Sequence, residues 1–418
     1  MRDHYTSADR SPKPRHSFSR RRFITRTLPV AGVGAAFLAV SGPQRVLAAI
    51  TDSPTPTPTT YRLFGPQVAC DSCAPPLSEK LAQMIIAGFA GQQVSGSDVI
   101  ASDIQSLHLG GVVLYDYPSG PQSLPRNISS PSQLQALTGE LQGLNPSKLI
   151  ISTDQEGGQV ARLNPSHGFP PTVSAKYLGD IDDPSLTYNY AAKMAESLAS
   201  MGINLNFAPD VDLNVNPNNP VIGAVDRSFS ADPDVVTRNA EAFIRANHDH
   251  GVLCTLKHFP GHGSSTADSH LGFVNVTDTW SRVELEPFAN IVADGLADVI
   301  MTAHIFNANL DPDFPATLSY KTVTGILREE LGYDGVVISD DMQMKAITDI
   351  YGQETAIGHA INAGIDILLF GNNVSDDPDV VAHVVDTMQQ LVQNGTISEA
   401  RIDQSYNRIQ ALKTRLAG

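Results

Sequence analysis

Residues 251–263 read GVLCTLKHFPGHG and join a short apolar run to a polar, glycine-rich segment. The run 252–256 is too short for a buried helix, and it is apolar rather than alternating, as in a strand that is covered on both faces. Gly251 can adopt the positive φ that often ends a helix, and Asp232-Pro233 upstream is typical of a helix start. This stretch therefore predicts a helix, then a buried strand, then a loop.

The same unit recurs along the chain. Helical stretches separate the apolar runs, for example from Asp183-Pro184 to Gly202, and Gly364-Ile365 repeats the junction of glycine and strand. Eight runs have the length and composition of buried strands: 84–89, 111–115, 149–153, 203–208, 252–256, 298–303, 335–339 and 365–370. This alternation predicts an α/β fold, a single (β/α)8 TIM-like barrel, with a doubly wound open sheet as the alternative. No glycine-rich phosphate-binding pattern follows the first run, which argues against a nucleotide site.

The 418-residue chain is 41 % apolar and 17 % charged, which excludes a disordered or fibrous protein. Its formal net charge is -16, and residues 1–48 hold nine Lys and Arg against two acids, a net +7, so the remainder carries -23. A surface this acidic argues against nucleic acid as a partner and against attachment to anionic lipid by charge.

The basic N-terminus predicts an export signal. Residues 19–24 read SRRRFI and resemble a bacterial twin-arginine signal. The apolar run 28–41 has 14 residues, which is short for a helix that crosses a hydrocarbon layer of ~30 Å. Because 46–48 offer small residues to a signal peptidase, we expect a signal peptide over 1–48 that is cleaved, and a secreted or cell-envelope protein without a stable membrane span. An uncleaved anchor is the alternative.

A linker and one domain are expected after the signal. Thr and Pro alternate over 51–60, which predicts an extended Thr/Pro-rich linker over 49–74 and a single barrel domain over 75–418. The three cysteines are too few for a disulfide scaffold. Cys70 and Cys73 are expected to form a local disulfide or to be free thiols, and Cys254 is expected to be a buried apolar residue.

Polar or charged side chains follow five of the eight predicted strands. They are STDQEGG at 152–158, PDVD at 209–212, KHFPGHG at 257–263, His304, and Asp340-Asp341. In a (β/α)8 barrel the active site lies where the strands end. We therefore expect these segments to meet at one site.

Asp268 and His270 lie two residues apart in the loop after the fifth strand. A carboxylate beside an imidazole fixes its tautomer and raises its pKa from ~6.5, which makes a proton donor and acceptor. A hydrogen-bonded turn without a catalytic role is one alternative. A metal site formed by His258, His262 and His270 is another.

Five motifs, in order along the chain, resemble those of one enzyme family. They are DQEGG at 154–158 with Arg162, NFAPDVD at 206–212, DRSF at 226–229, KHFPGHG at 257–263 followed after four residues by DSH at 268–270, and SDDM at 339–342. Together they resemble glycoside hydrolase family 3, in its β-N-acetylhexosaminidase branch, over nearly the whole predicted domain.

The resemblance implies a retaining β-N-acetylhexosaminidase that releases terminal N-acetylglucosamine from peptidoglycan fragments or chitin oligosaccharides. Asp340 would be the nucleophile, and His270, oriented by Asp268, would be the general acid and then the base. The hydroxyls of the sugar would be held by Asp154, Arg162, Arg227, Lys257 and His258. We expect no cofactor and no metal, an N-acetylglucosamine-containing oligosaccharide as the partner, and a monomer.

The mechanism that the resemblance implies differs from that of most glycosidases in one respect, because a histidine with a carboxylate partner replaces the second carboxyl group. The Asp268-x-His270 loop takes the role that a second domain has in the β-glucosidases of the family, which favours a glucosaminide over a glucoside. Asp341 is expected to cap the helix that follows the seventh strand.

Three other functions stay open. In a phosphorylase, phosphate rather than water would attack the glycosyl-enzyme, which a neutral histidine tolerates better than a carboxylate does. A metal-dependent barrel hydrolase would use the histidines as ligands. A sugar-binding protein without catalysis could keep Asp154, Arg162 and Lys257 and be indifferent to the loss of Asp340.

Overall fold

A computed structural model describes residues 75–118, 125–145, 148–373 and 377–416. The predicted signal peptide over 1–48 and the predicted linker over 49–74, with Cys70 and Cys73, lie outside the described residues.

Eight short parallel strands form the central sheet of the described part of the chain. They are β1 Ile85–Gly88, β2 Gly111–Val113, β3 Ile150–Thr153, β4 Leu205–Asn206, β5 Leu253–Phe259, β6 Val299–Thr302, β7 Val336–Ser339 and β8 Leu368–Phe370. Their order in the sheet is β7-β6-β5-β4-β3-β2-β1-β8. A parallel bridge between Ile338 in β7 and Ile367, directly before β8, joins the two edges. The sheet is therefore a nearly closed barrel, so the (β/α)8 prediction is confirmed and the open-sheet alternative is wrong.

Helices follow the strands and cover the outside of the barrel. The α-helices are α1 Leu77–Gln83, α2 Val99–Ser102, α3 Pro131–Leu144, α4 Ala175–Ile181, α5 Pro184–Ser200, α6 Pro233–Asp249, α7 Glu286–Ala293, α8 Lys345–Thr348, α9 Gln353–Ala363, α10 Val380–Gln393 and α11 Glu399–Arg415. Two π-helices cover Asp103–Leu107 and Lys321–Glu330, and 3-10 turns cover Pro165–His167, Gly223–Val225, Arg282–Leu285 and Ala316–Leu318. In the described part of the chain, no helix is both long enough and apolar enough to cross a membrane.

The predicted helix ends form as their residues suggest. The carboxylate of Asp183 accepts from the backbone N–H of Ser185 at 2.9 Å, directly before α5. Asp232 does the same for Asp234 at the start of α6, also at 2.9 Å. Gly251 has a φ of +75° at the other end of α6, so the chain can turn at once into β5.

The fifth strand is longer than expected. β5 runs from Leu253 to Phe259 with all seven residues buried, so Lys257 and His258 lie in the strand and not in the loop after it. The register with β6 shifts between Leu256 and Phe259. In a regular strand the consecutive side chains of Lys257 and His258 would point to opposite faces. The register shift lies at these two residues, and both of their side chains line the pocket.

A second, smaller apolar core lies beside the barrel end. Val274–Asn275 and Ile305–Phe306 form a short parallel pair in which Val274 faces Ile305. Val274, Val276, Ala303, Ile305 and Ala316 are buried together in this cluster. The pair fixes the loop that follows β5 against the loop that follows β6.

Candidate active site

One pocket lies where the strands end, with a volume of about 190 Å³. It is lined by Tyr115, Asp154, Val160, Arg162, Phe207, Arg227, Lys257, His258, His270, Met301, Asp340, Asp341, Leu369 and Asn373. Seven of the eight predicted site residues are in this lining, and the eighth, Asp268, lies behind His270. The structure therefore brings together residues that are almost 190 positions apart in the sequence.

A hairpin after β3 pairs Asp154 with Arg162. Gln155–Gly157 runs antiparallel to Val160–Ala161, and the turn uses Gly157 at a φ of +104°, where a Cβ would lie 2.3 Å from the carbonyl oxygen of Val173. The hairpin returns Arg162 to the strand end, where its Nη2 lies 3.3 Å from Asp154 Oδ2. This explains why the glycines of the DQEGG motif accompany the two charged residues.

Lys257 links two carboxylates at the end of β5. Its Nζ lies 2.9 Å from Asp154 Oδ1 and 2.6 Å from Glu156 Oε1. Burial opposes the charge of Lys257, but Asp154 and Glu156 outweigh it and raise the pKa of the amine. Burial also opposes the ionisation of Asp154, but Lys257 and Arg162 hold the pKa of Asp154 far below its usual range. These groups are therefore charged when the protein is folded.

Arg227 extends this series of ion pairs. Its Nε and Nη2 donate to the two oxygens of Glu156 at 2.8 and 2.7 Å, a bidentate ion pair. Burial opposes the charge, but Glu156 raises the pKa of Arg227 above its ordinary value. Arg227 Nη2 also lies 3.2 Å from His258 Nε2.

The contacts of His258 define its tautomer. Its Nδ1 lies 2.6 Å from Asp212 Oδ2, and an ionised carboxylate can only accept, so Nδ1 carries a proton. A guanidinium can only donate, so His258 Nε2 accepts from Arg227. The ring of His258 is therefore oriented from behind by Asp212 and held in front by Arg227.

Asp340 directly follows β7 and lines the same pocket. Its backbone N–H donates to the carbonyl of Thr302, and its Oδ1 accepts from the backbone N–H of Asp341 at 2.8 Å. Burial would raise the pKa of Asp340, but the imidazoles of His304, His258 and His270 outweigh it, so the pKa lies below its ordinary value. The carboxylate is thus ionised inside the pocket.

His270 lies on the loop after β5, and 56 % of its side chain is exposed. Its Nδ1 lies 2.9 Å from Asp268 Oδ1, so the carboxylate accepts from Nδ1–H and leaves Nε2 for other partners. Burial opposes protonation, but the hydrogen bond to Asp268 and the charge of Asp340 raise the pKa of His270. The predicted Asp-His contact forms, and it supplies an imidazole that can carry a proton.

Asp341 does not cap a helix, so that prediction is wrong. The next helix, α8, begins at Lys345 without a side-chain cap. The Oδ1 of Asp341 instead accepts from the backbone N–H groups of Gln343 at 3.0 Å and Gly371 at 3.1 Å, which ties the end of β7 to the end of β8. Burial raises the pKa of Asp341 to about 6.

The histidine cluster that the sequence suggested as a metal site does not form in the described residues. The ligand atoms that lie within 4.8 Å of one another belong to Asp210, Asp212 and His258, without His262 or His270. In that group His258 Nδ1 already donates to Asp212. Burial and the nearby charge of Asp212 also raise the pKa of Asp210, which makes it a poor ligand.

Three important carboxyl groups were not assigned roles from the sequence. They are Glu156, which joins Lys257 to Arg227, Asp212, which orients His258, and Asp116, whose Oδ1 lies 3.5 Å from Arg162 Nη1. The sequence signal for the first two was their position inside the DQEGG and NFAPDVD motifs. Asp116 follows the second predicted strand, which was not among those followed by recognised polar residues.

Comparison with known proteins identifies the family of this chain. The model of the glycosyl hydrolase family 3 N-terminal domain matches residues 76–412. A relative named beta-hexosaminidase A from Pseudoalteromonas piscicida is 36 % identical over 344 residues, which cover 75 % of this chain and 54 % of that protein. A beta-hexosaminidase from Xylella fastidiosa (strain M23) is 36 % identical over 293 residues, 68 % of this chain and 82 % of the relative.

A solved structure gives the same result. The glycoside hydrolase family 3 beta-N-acetylglucosaminidase from Paenibacillus sp. str. FPU-7 superposes with a TM-score of 0.74 at 38 % identity, over 82 % of this chain and 63 % of that one. The chain thus spans about half the length of the Pseudoalteromonas relative and less than two thirds of the Paenibacillus structure. Because the domain model matches residues 76–412, which are most of this chain, the chain belongs to glycosyl hydrolase family 3.

Proposed function

We propose that the protein is a retaining β-N-acetylhexosaminidase that removes terminal, non-reducing β-N-acetylglucosamine from oligosaccharides of peptidoglycan or chitin. Asp340 is the nucleophile, and His270, oriented by Asp268, is the general acid and then the base. The observation that carries the proposal is that Asp340 and His270 line one pocket, beside Asp154, Arg162 and Lys257. The names of the relatives, beta-hexosaminidase and beta-N-acetylglucosaminidase, agree with this activity.

The series of ion pairs along the pocket suits a sugar with several hydroxyl groups. Asp154 offers carboxylate acceptors, whereas Lys257 and Arg162 offer donors, and all three are charged and buried or half-buried. A buried site built to hydrogen-bond hydroxyl groups rejects a ligand that lacks them, because its polar groups are then left unpaired. We assign these residues, with Arg227 and His258, to the terminal sugar.

The two reacting groups have the protonation states that a retaining mechanism needs. Asp340 is ionised and attacks the anomeric carbon, while the imidazolium of His270 donates its proton to the leaving glycosidic oxygen. The bond from the anomeric carbon to that oxygen breaks, and a glycosyl ester on Asp340 forms. His270, now neutral, takes a proton from water, which attacks the anomeric carbon, releases the sugar and restores Asp340.

Release of nitrophenol from its β-N-acetylglucosaminide tests the proposal. We expect hydrolysis by the full chain without added metal and in the presence of a chelator, whereas a metal-dependent hydrolase would lose activity. With a poor leaving group, Asp340→Ala and His270→Ala should each lose at least about 10²-fold in rate. Retention of more than a tenth of the rate by either variant would refute the role assigned to that residue. Addition of phosphate separates a hydrolase, which gives free sugar, from a phosphorylase, which gives the sugar phosphate.

We also propose that the protein acts outside the cytoplasm of a bacterium. The support is the SRRRFI segment at 19–24, the short apolar run at 28–41 and the small residues at 46–48. Replacement of Arg21 and Arg22 by Lys should retain the precursor inside the cell, as measured by fractionation and immunoblotting. N-terminal sequencing of the exported protein should begin at residue 49, and a longer N-terminus would contradict cleavage after Ala48.

A further inference from the structure

Three apolar side chains follow the pocket-lining His270 and the buried His304 closely along the chain, outside the lining of the pocket itself. Leu271 directly follows His270 and is 72 % exposed, and Phe273, two positions further on, is 49 % exposed. The ring of Phe306 is half-buried and lies 5.3 Å from the ring of Phe273, between centroids, at 41°. Exposed aromatic groups in contact with each other form a patch, which indicates a binding surface more often than single exposed residues do. We call these three residues the apolar rim.

The position of the apolar rim is fixed by the short strand pair beside the barrel. Val274 and Ile305 are buried in the small second core. Because side chains alternate along a strand, the neighbouring Phe273 and Phe306 point to the other side, away from that core. The short strand pair therefore holds the two rings in place. The side chain of His270, earlier on the same loop, is exposed.

One chain segment of the apolar rim leads from the proposed general acid His270, and the other leads from His304. Phe273 is three residues from His270, so their Cα atoms are at most roughly 10 Å apart. Phe306 is two residues from His304, at most roughly 7 Å away. His304 Nε2 lies 3.0 Å from the carbonyl oxygen of Asp341, next to Asp340. The apolar rim thus begins at the residue after His270, and each of its three residues is within three positions of His270 or His304.

We propose that Leu271, Phe273 and Phe306 bind the pyranose ring on the leaving-group side of the cleaved bond, by contact with its apolar face. The inference rests on the proposed function. A general acid must lie within hydrogen-bond distance of the glycosidic oxygen, so the leaving sugar lies against the residues around His270. The axial C–H groups of a β-linked hexose form an apolar face that suits an aromatic surface, as in other ligand sites built of aromatic walls and few polar groups.

The test compares substrates that differ in the leaving group. N-acetyl-β-glucosaminyl fluoride loses a single atom and cannot contact the apolar rim, whereas chitobiose loses a whole sugar. For the full chain, Phe273→Ala and Phe306→Ala should each lower kcat/KM for chitobiose about 3- to 10-fold and change kcat/KM for the fluoride less than twofold. Phe273→Tyr keeps an aromatic ring and should restore chitobiose cleavage. Tyr320→Ala removes an exposed ring elsewhere, 58 % exposed, and should change neither.

The outcomes separate this inference from the proposed function. An equal loss for the fluoride and for a disaccharide substrate, or no loss for any substrate, overturns the apolar rim as a sugar site while the hydrolase activity stands. A wild-type protein that cleaves neither substrate overturns the proposed function and the inference with it. The disaccharide of N-acetylglucosamine and N-acetylmuramic acid forms a third arm. A loss with either disaccharide or with both, without an equal loss for the fluoride, supports the inference, and a loss with only one of them identifies the natural source of the leaving sugar.

Discussion

Glu156 Oε1 lies 2.6 Å from Lys257 Nζ, and each of the two side chains is only 3 % exposed. The same oxygen lies 2.7 Å from Arg227 Nη2, so one carboxylate neutralises two cations that face the pocket. Glu156 itself is not part of the pocket lining. Its role is to hold Lys257 and Arg227 in place from behind.

Removal of this carboxylate should destabilise the protein. Glu156→Ala leaves two buried cations with one carboxylate fewer, which we expect to cost about 3 to 5 kcal/mol in the free energy of unfolding. Glu156→Gln keeps an acceptor oxygen and should cost less. Chemical denaturation of the full chain measures both.

The matched control for this prediction is an exposed ion pair. Lys176 Nζ lies 2.6 Å from Asp180 Oδ2 on the surface of α4, so the distance equals that of the buried pair. Asp180→Ala should change the free energy of unfolding by about 1 kcal/mol or less, because exposed pairs contribute little. Similar losses for Glu156→Ala and Asp180→Ala would contradict the importance of burial at Glu156.

The tautomer of His258 depends on Asp212. Asp212→Asn replaces a pure acceptor with a group that can also donate, so Nδ1–H is no longer enforced and Nε2 no longer reliably accepts from Arg227. We expect kcat/KM for the nitrophenyl glycoside to fall about 10- to 100-fold, as for loss of a hydrogen bond to a charged group. Asp183→Asn, at an exposed carboxylate at the start of α5, is the matched control for the exchange of carboxylate for amide. An unchanged kcat/KM in Asp212→Asn would show that the orientation of His258 does not matter.

The pH profile should reflect the two reacting groups. Asp340 must be ionised, and its pKa is low because, despite burial, the imidazoles of His304, His258 and His270 stabilise the charge. His270 must be protonated, and its pKa is high because Asp268 and Asp340 outweigh burial. A plot of kcat/KM against pH should therefore be a bell that extends from below pH ~4 to above pH ~6.5.

Replacement of Asp268 should shift one limb of this bell. Asp268→Asn removes a carboxylate that raises the pKa of His270, so the alkaline limb should move to lower pH while the acid limb stays in place. An alkaline limb that stays in place or moves to higher pH would refute the pairing of Asp268 with His270.

Glu284 predicts a dependence of stability on pH. It is fully buried, its carboxylate accepts from the backbone N–H of Ser264 at 3.2 Å, and burial raises its pKa to about 7. Between pH ~4.5 and 7 the folded state binds a proton that the unfolded state releases, so stability falls as pH rises through this interval. The free energy of unfolding of the wild type, minus that of Glu284→Gln, should fall by about 2 to 3 kcal/mol over this range. A difference that is constant with pH would contradict this ionisation.

The barrel could be predicted because its signal is local. Each strand is a short apolar run, and each helix has recognisable end residues such as Asp183 or Gly251, so the alternation is visible without tertiary information. The limit of β5 was missed because Lys257 and His258 are polar, and only the surrounding carboxylates allow them to be buried in a strand.

The sequence identified most residues of the candidate site but not the contacts between them. Motif positions identified Asp154, Arg162 and Lys257, but the bridge through Glu156 depends on the distance between β3 and β5, which no local pattern contains. Asp341 was predicted to be a helix cap because helices often begin after a strand. Its actual partners lie at Gln343 and at Gly371 after β8, and the second depends on closure of the barrel.

Trapping of the glycosyl-enzyme tests the central claim most directly. The full chain is incubated with a 5-fluoro derivative of N-acetylglucosaminyl fluoride, which slows both steps and has a reactive leaving group, and is then digested for mass spectrometry. We predict an increase in intact mass by one fluorinated sugar and a label confined to Asp340, with no label in Asp340→Ala. A label on any other residue, or turnover without a covalent adduct, would contradict the account.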